Sequence, residues 1–479
     1  QLARLSSRQA TAFSLAVLCA VALQIAFLFP VVALADTHAD QATQSSGDEP
    51  PSFLADSCPP ESLLDDQTGS EATDPNSPGP SCRQPGTLSN YQPTASPNSP
   101  SDKSVESELA DNNQIKPALI PMDFVHYAFA PIYDFKNDIN DTIRLAFGLD
   151  YSALVQHASY TESGHDDAAS QVFRVYGTWL PVGDPAGTMG VLVWKTETRT
   201  ALGGLQTPRE LGFDTGSALS TANYKEMDYW GVTDLYWKQM FEGGRFGLLV
   251  GHMDAGDWAD QYPLLNAWTS FLNDAFYNNP TQAIPKRGGG IVAQYVMPDN
   301  TYVMGGLHDA NGKDGKLDPG SALRNGEYFS WVEYGYRSSR SVTARENFHV
   351  NFWHQDAMES SDVEASWGIA LTQSVVTDDN NVAFIRLGYS EGNAPQMRRF
   401  IGIGLSARVF GRETLGVATS WGSPPDKSLR DQVTSEVFYR LQVTQNLTVS
   451  PSLQLTHNPS YTVEKDWVYI PGLRLRMVF

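Results

Sequence analysis

Twelve residues carry the chemistry that this chain's alternating segments could do: Arg144, Asp150, Arg174, Trp331, Glu333, Asn351, Trp353, Glu364, Arg386, Arg408, Glu436 and Arg440. Each stands opposite the apolar register of a segment that alternates with period two, so a strand would send all of them to its other face. Guanidinium and carboxylate together offer donors and acceptors for hydroxyl groups, and indole rings offer flat apolar surfaces. Charges of both signs on one wall suit an uncharged, hydroxyl-bearing solute better than an ion of either sign. The plainer alternative is a solvated wall on which these charges pair with one another.

Strands must position such a wall. Ile143, Leu145, Phe147, Leu149 and Tyr151 alternate with Arg144, Ala146, Gly148, Asp150 and Ser152. Ile401, Ile403, Leu405, Ala407 and Val409 alternate with Gly402, Gly404, Ser406 and Arg408. At the end of the chain Leu473, Leu475, Met477 and Phe479 share one face, with Arg474 and Arg476 on the other. Polar, charged inward positions are too costly for a dry core but natural for a water-filled lumen. The pattern predicts strands at 142–159, 168–181, 187–198, 230–240, 245–254, 288–298, 300–309, 327–337, 345–357, 363–375, 381–390, 400–410, 413–422, 430–443, 446–458 and 467–479. Their even number fits an all-β, closed antiparallel transmembrane β-barrel of about sixteen strands. Aromatics near strand ends (Trp179, Trp194, Trp230, Trp421, Tyr439, Trp467) fit interfacial girdles. Short turns near Asp299-Asn300, Gly411-Arg412 and Thr444-Gln445 are set against longer polar loops at 310–326, 391–399 and 422–429. Trp367 and Ile403 are expected outward, Ser366 and Gly404 inward. A propeller would repeat at a fixed period, and none is visible.

The rest of the 479 residues divides by composition. Arg4 and Arg8 precede an apolar stretch from Ala10 to Leu34, and Ala33-Leu34-Ala35 suits cleavage, so residues 1–35 read as a signal peptide or an uncleaved anchor. Residues 36–121 are rich in Ser, Pro and acid and read as a disordered extension, dispensable for folding. They hold fourteen acidic residues against Arg83, Lys103 and Lys116, about half of the net charge of −21. Such a balance argues against a nucleic-acid partner. Cys58 and Cys82 could form one disulfide or remain two free thiols. Residues 122–141 read as a linker, and 142–479 as the barrel.

Several stretches resemble the carbohydrate-selective porins of Gram-negative bacteria, the OprB family. They are Asp234–Asp254, Phe271–Phe276, Tyr302–Asp309, Ile385–Gly392, Gly402–Gly416, Glu436–Arg440, Ser450–Gln454, Asn458-Pro459 and Gly472–Arg476. The resemblance covers 225–479 well and 140–225 loosely; the acidic extension is not part of it. It implies a passive, selective pore in the outer membrane, with sugars or polyols as permeants, lipid around the barrel and the extension in the periplasm. It also implies that the assembly machinery reads the terminal Phe479. A general, non-selective porin is the alternative, and monomer and trimer both stay open.

The resemblance implies no cofactor and no enzyme. No His-Glu-x-x-His helix or phosphate-cradling loop occurs, and a barrel hydrolase is the least favoured reading. Asp309–Asp318 approximates a calcium loop, but Lys313 and Asp314 stand where a ligand and a glycine belong. The stretch 255–287 is too long for a turn. With Trp258, Asn266, Trp268, Asn273 and Asp274 it could fold inward as a constriction, or stay outside as a loop with a small core.

Overall fold

The computed structural model describes residues 87–91, 103–120, 123–183, 187–338, 346–358, 361–377, 381–410 and 413–479. Sixteen strands close into one antiparallel ring in which each pairs with its sequence neighbours and the last returns to the first. They are β1 Leu145–His157, β2 Asp167–Gly183, β3 Met189–Ala201, β4 Met227–Phe241, β5 Phe246–Met253, β6 Gly288–Val296, β7 Thr301–Asp309 and β8 Tyr328–Arg337. There follow β9 Asn347–Gln355, β10 Ser366–Val376, β11 Val382–Glu391, β12 Arg399–Val409, β13 Glu413–Ser423, β14 Gln432–Gln442, β15 Leu447–His457 and β16 Trp467–Val478. Each expected strand is present, with ends shifted by a few residues.

The two faces separate as period-two patterning requires. Ile403 and Trp367 are about half exposed on the outside, whereas Ser366 is fully buried and Gly404 faces inward. Val250, Ile291, Phe352, Leu453 and Leu473 extend the same apolar outer belt. Trp179, Trp230 and Trp467 stand exposed at strand ends. Connections alternate in length. β1 leads to β2, β3 to β4, β5 to β6 and β7 to β8 through the long loops, while the returning connections β4–β5, β6–β7 and β14–β15 are tight.

Two segments occupy the interior. The first is the β5–β6 connection, 254–287, which folds inward with Trp258, Asn266, Trp268, Asn273 and Asp274 all buried. Its Tyr262, Leu265, Phe271 and Phe276 join Phe384, Phe400 and Phe438 of the wall in one apolar cluster. The second precedes the barrel and corrects the sequence reading. Within the supposed extension, helix α1 runs Val105–Asn112 and is buried inside the ring. It forms because Ser104 caps it, accepting from the Ser107 amide, and because Glu106 and Glu108 lie in a first turn that favours negative charge. Residues 1–86, with Cys58 and Cys82, lie outside the described residues.

The supposed linker is also corrected: helix α2 spans Asp123–Ile143. Tyr133 accepts from the Asn446 amide at 2.6 Å, the Phe129 ring meets Phe479 at 4.8 Å, and Lys136 donates to Asn113 at 2.9 Å. These contacts set α2 across the short-turn mouth. Leu119 and Ile120 donate backbone bonds to Gln442 and Val443, so the chain leaves the lumen beside the β14–β15 turn. Two short helices stand in the long loops, α3 Pro208–Asp214 and α4 Asp274–Tyr277, with α5 Ser321–Asn325 in the β7–β8 connection.

Candidate permeation site

The lumen wall is built from side chains of opposite sign, held in two clusters. Under α1, Arg174 of β2 bridges Asp150 of β1 at 2.8 Å and Glu108 of α1 at 2.9 Å. Arg476 of β16 meets the same Asp150 at 2.5 Å and donates to the Asn112 amide oxygen at 3.3 Å. Lys238 of β4 holds Glu106 at 2.5 Å. Asn266, from the long loop, adds a bond to Glu108 at 3.2 Å. All these side chains are buried, and a buried carboxylate persists as a charge only when paired in this way.

The second cluster seats the loop. Asp260 accepts from Arg386 of β11 at 2.5 Å, from Thr372 of β10 at 2.6 Å, and lies 2.8 Å from His349 of β9. Its own amide donates to Glu333 of β8 at 2.9 Å. Glu333 also accepts from Tyr302 at 2.7 Å and from Asn351 at 3.0 Å. Further round the ring, both oxygens of Glu436 accept loop amides, Leu272 and Asn273, at 2.8 Å each, just before α4. Arg440 donates to the Thr269 carbonyl at 3.0 Å and Arg474 to the Ser270 carbonyl at 3.0 Å. Burial alone would raise the Asp260 carboxyl, but the Arg386 guanidinium and the bond from His349 hold it below the usual carboxylate range.

Nine of the twelve sequence candidates therefore stand on the inner wall: Asp150, Arg174, Trp331, Glu333, Asn351, Trp353, Arg386, Glu436 and Arg440. Three do not. Arg144 lies between α2 and β1 with φ of 55°, outside the pleat, and reaches out to the Gly183 carbonyl. Glu364 precedes β10 and is exposed; its amide donates to Asn393. Arg408 keeps the inward register, but it sits at the end of β12 beside the short turn and is exposed.

Strand parity also pointed to residues left unnamed. Lys195, Glu197 and Arg199 of β3 alternate with Trp194, Thr196 and Thr198, and all three are buried inside. Lys195 pairs with Asp234 of β4 at 2.6 Å, and Arg199 with Glu197 at 2.8 Å. Asp260, Glu106 and Glu108 had no such signal, because loops and caps have no period. One hydrolase-like spacing was also missed, Gly388-Tyr389-Ser390-Glu391-Gly392. Ser390 lies within β11 rather than on a strand-to-helix turn, and its hydroxyl donates to the Met397 carbonyl at 2.9 Å. It is not a nucleophile elbow. In the 309–318 stretch, Asp314 pairs with Lys225 and with Arg287, so its carboxylate is already used.

On the long-loop side a vestibule of about 370 Å³ opens among Arg209, Lys225, Asp254, Asp274, Lys286 and Arg287. A narrower space of about 20 Å³ shares Lys103, Asn223, Tyr277 and Arg287 with it and adds Arg174, Arg199 and Trp268. The Trp268 ring lies beneath two guanidiniums, Arg174 at 4.5 Å and Arg199 at 5.4 Å. The vestibule is large enough for a small polar solute, and its wall offers both donors and acceptors.

The family model described as "Carbohydrate-selective porin, OprB family" matches residues 316–479. The resemblance read from the sequence therefore holds over that stretch. Among solved structures, the high pH structure of Pseudomonas putida OprB is similar with a TM-score of 0.55 at 13% identity, covering 71% of this chain and 96% of that one. A mutant porin of Rh. blastica gives a TM-score of 0.45 at 9% identity, covering 70% and 100%. No curated protein matches the chain. At these identities the likeness to solved structures is one of fold, that of a porin barrel.

Proposed function

We propose that this chain is an outer-membrane porin for passive, selective diffusion of sugars or polyols. The observation that carries this reading is the inner wall around the inserted loop. Arg386, Asp260, Glu333, Tyr302 and Asn351 form a continuous run of donors and acceptors, inside a barrel whose outer belt is apolar. Charges of opposite sign are matched there rather than arranged as a ring of one sign. A wall of that kind replaces a hydroxyl-bearing solute's water without trapping an ion. The C-terminal match to carbohydrate-selective porins points to the same solutes.

Single-channel current in planar bilayers tests the reading. Glucose is expected to reduce the current in a concentration-dependent way while it occupies the lumen. A current indifferent to glucose, glycerol and disaccharides would remove the sugar claim and leave a general porin. No current from a folded, heat-modifiable barrel would remove the pore itself.

A further inference from the structure

The porin reading leaves the inserted helix unexplained. α1 is not a spacer resting in a wide channel; it presents two glutamates to a basic seat. The barrel's own groups at that seat are Arg174, Lys238 and Arg476 against Asp150. That is three cations to one anion on buried strand positions. Glu106 and Glu108 bring the count to three against three. The charged groups around them are matched without the helix: Lys195 by Asp234 at 2.6 Å, Arg199 by Glu197 at 2.8 Å, and Arg287 by Glu197 and Asp254 at 3.5 Å each. The surplus is thus local to the seat, and the helix supplies what the wall lacks.

The seat has the donor set that recognises a carboxylate. One Arg174 nitrogen meets both Glu108 oxygens, at 2.9 and 3.1 Å, and Asn266 adds an amide donor to that carboxylate. Lys238 supplies a compact ammonium for the second carboxylate. The narrow space beside Arg174 and Trp268 shares lining residues with the vestibule, so the Arg174 edge of the seat is the edge nearest the long-loop side.

The attachment of α1 is also of an exchangeable kind. Its apolar share is small: Val105, Leu109 and Ala110, with Tyr91 from earlier in the chain. The remainder is polar: Lys103 to Asp257 at 3.2 Å, Asn112 to Tyr176, and the two glutamates. A charge that leaves one partner can be replaced by another charge of the same sign at little net cost, whereas an emptied seat leaves two buried cations unmatched.

We propose that the basic wall beneath α1 is a carboxylate-binding site which the chain fills with its own Glu106 and Glu108, and that sugar acids entering the pore compete with the helix for it. The proposal rests on the porin reading above and adds a solute class to it. The competing solute carries a carboxylate for Arg174 or Lys238 and ring hydroxyls for Asn266 and Tyr176.

The test uses the full chain in planar bilayers, with glucuronate, glucose and acetate as probes. E106Q/E108Q keeps the helix shape and removes both charges. Its current is expected to exceed that of the wild type severalfold and to shift toward anions. Glucuronate should block it at a concentration at least about tenfold below that needed by glucose, the equivalent of one charge-assisted hydrogen bond. R174A/K238A, which removes the seat, should lose the advantage of glucuronate. Acetate separates the sources: block by acetate equal to that by glucuronate assigns the site to carboxylates in general and overturns the sugar-acid claim. E106Q/E108Q with wild-type conductance and reversal potential, in a barrel of normal heat-modifiable mobility, overturns the proposal while leaving the porin reading intact. If neither the wild type nor this variant conducts, the porin reading falls and takes the proposal with it.

Discussion

Among the described residues the lumen holds two inserts, and they differ in how far apolar burial adds to polar pairing. The loop 254–287 is tied to strands at both ends and buries Tyr262, Leu265, Phe271 and Phe276 against wall aromatics. The helix α1 offers Val105, Leu109 and Ala110 and is otherwise fixed by charge pairs and hydrogen bonds. Apolar burial responds to dissolved ions through their general effect on water and not through competition for a charge. Ion pairs are open to that competition, because any solute of the same charge competes with them. The comparison teaches that one insert is anchored by a large apolar cluster as well as by charge, while the other depends mainly on polar partners, which is what the proposal above uses.

The sharpest way to break that contrast is Arg386→Ala. It takes the guanidinium from a buried Asp260 that keeps only Thr372 and His349, and should cost about 3 kcal/mol or more. The expected outcome is a lower melting step in heat-modifiable gel mobility, with a larger and noisier current as the loop loosens. Phe271→Ala comes next, at about 3 kcal/mol from lost burial and the cavity left behind. It should lower the same melting step at every salt concentration, because no charge is involved. A salt-dependent Phe271→Ala defect would blur the distinction between the two inserts.

Raising KCl from 0.1 M to 1 M shortens the screening distance from about 10 Å to about 3 Å. The pairs of both inserts are buried and only weakly screened, so the effect should be modest and larger on α1, which has less apolar burial to hold it; it is read as conductance rising faster than bulk conductivity. E106Q/E108Q should reduce that excess. Acid offers a gentler check. Because the Asp260 carboxyl is held below its ordinary value, its pairing stabilises the fold at any pH above that ordinary value, about 3.9, and is lost only as pH falls toward the lowered one. The Asp260 pairing should therefore not loosen the loop between pH 7 and pH 5, measured by a melting step of the heat-modifiable band that does not fall. The smallest expected effect is that of Arg408→Ala. An exposed side chain at the barrel rim should change stability by under about 0.5 kcal/mol and leave sugar block as it was.

Strand patterning made the barrel legible before any coordinates, because a side-chain period of two survives even where ends fray. That is why Asp150, Arg174, Glu333, Arg386 and Glu436 are found on the wall. The same rule failed where the pleat stops. Arg144 follows a helix and adopts a positive φ, and Glu364 belongs to a loop. The partners of the wall charges were hidden for another reason. Asp260 is placed by tertiary folding of a long loop, and Glu106 and Glu108 sit in a polar stretch whose composition resembles disorder. Residues 105–112 meet complementary charges on the wall, a contribution that composition alone does not count. The linker was misread for a related reason: α2 carries Pro131 in its interior, which ordinarily argues against a helix.

The seam between β1 and β16 sets the order in which this molecule can be made. Phe479 exchanges backbone hydrogen bonds with Leu149, at 2.9 and 3.2 Å, so β1 waits for β16 before the ring can close. Joining positions so far apart carries a large loop-closure entropy and makes closure a late event in assembly. α1, by contrast, is synthesised before any strand. It can wait within the curling sheet while the ring closes around it, or it can enter afterwards through the short-turn mouth, beside which both its tether and α2 lie. Neither route threads the chain through itself. The stopper and its tether come from the same end of one polypeptide, so every barrel that reaches completion carries its own occupant.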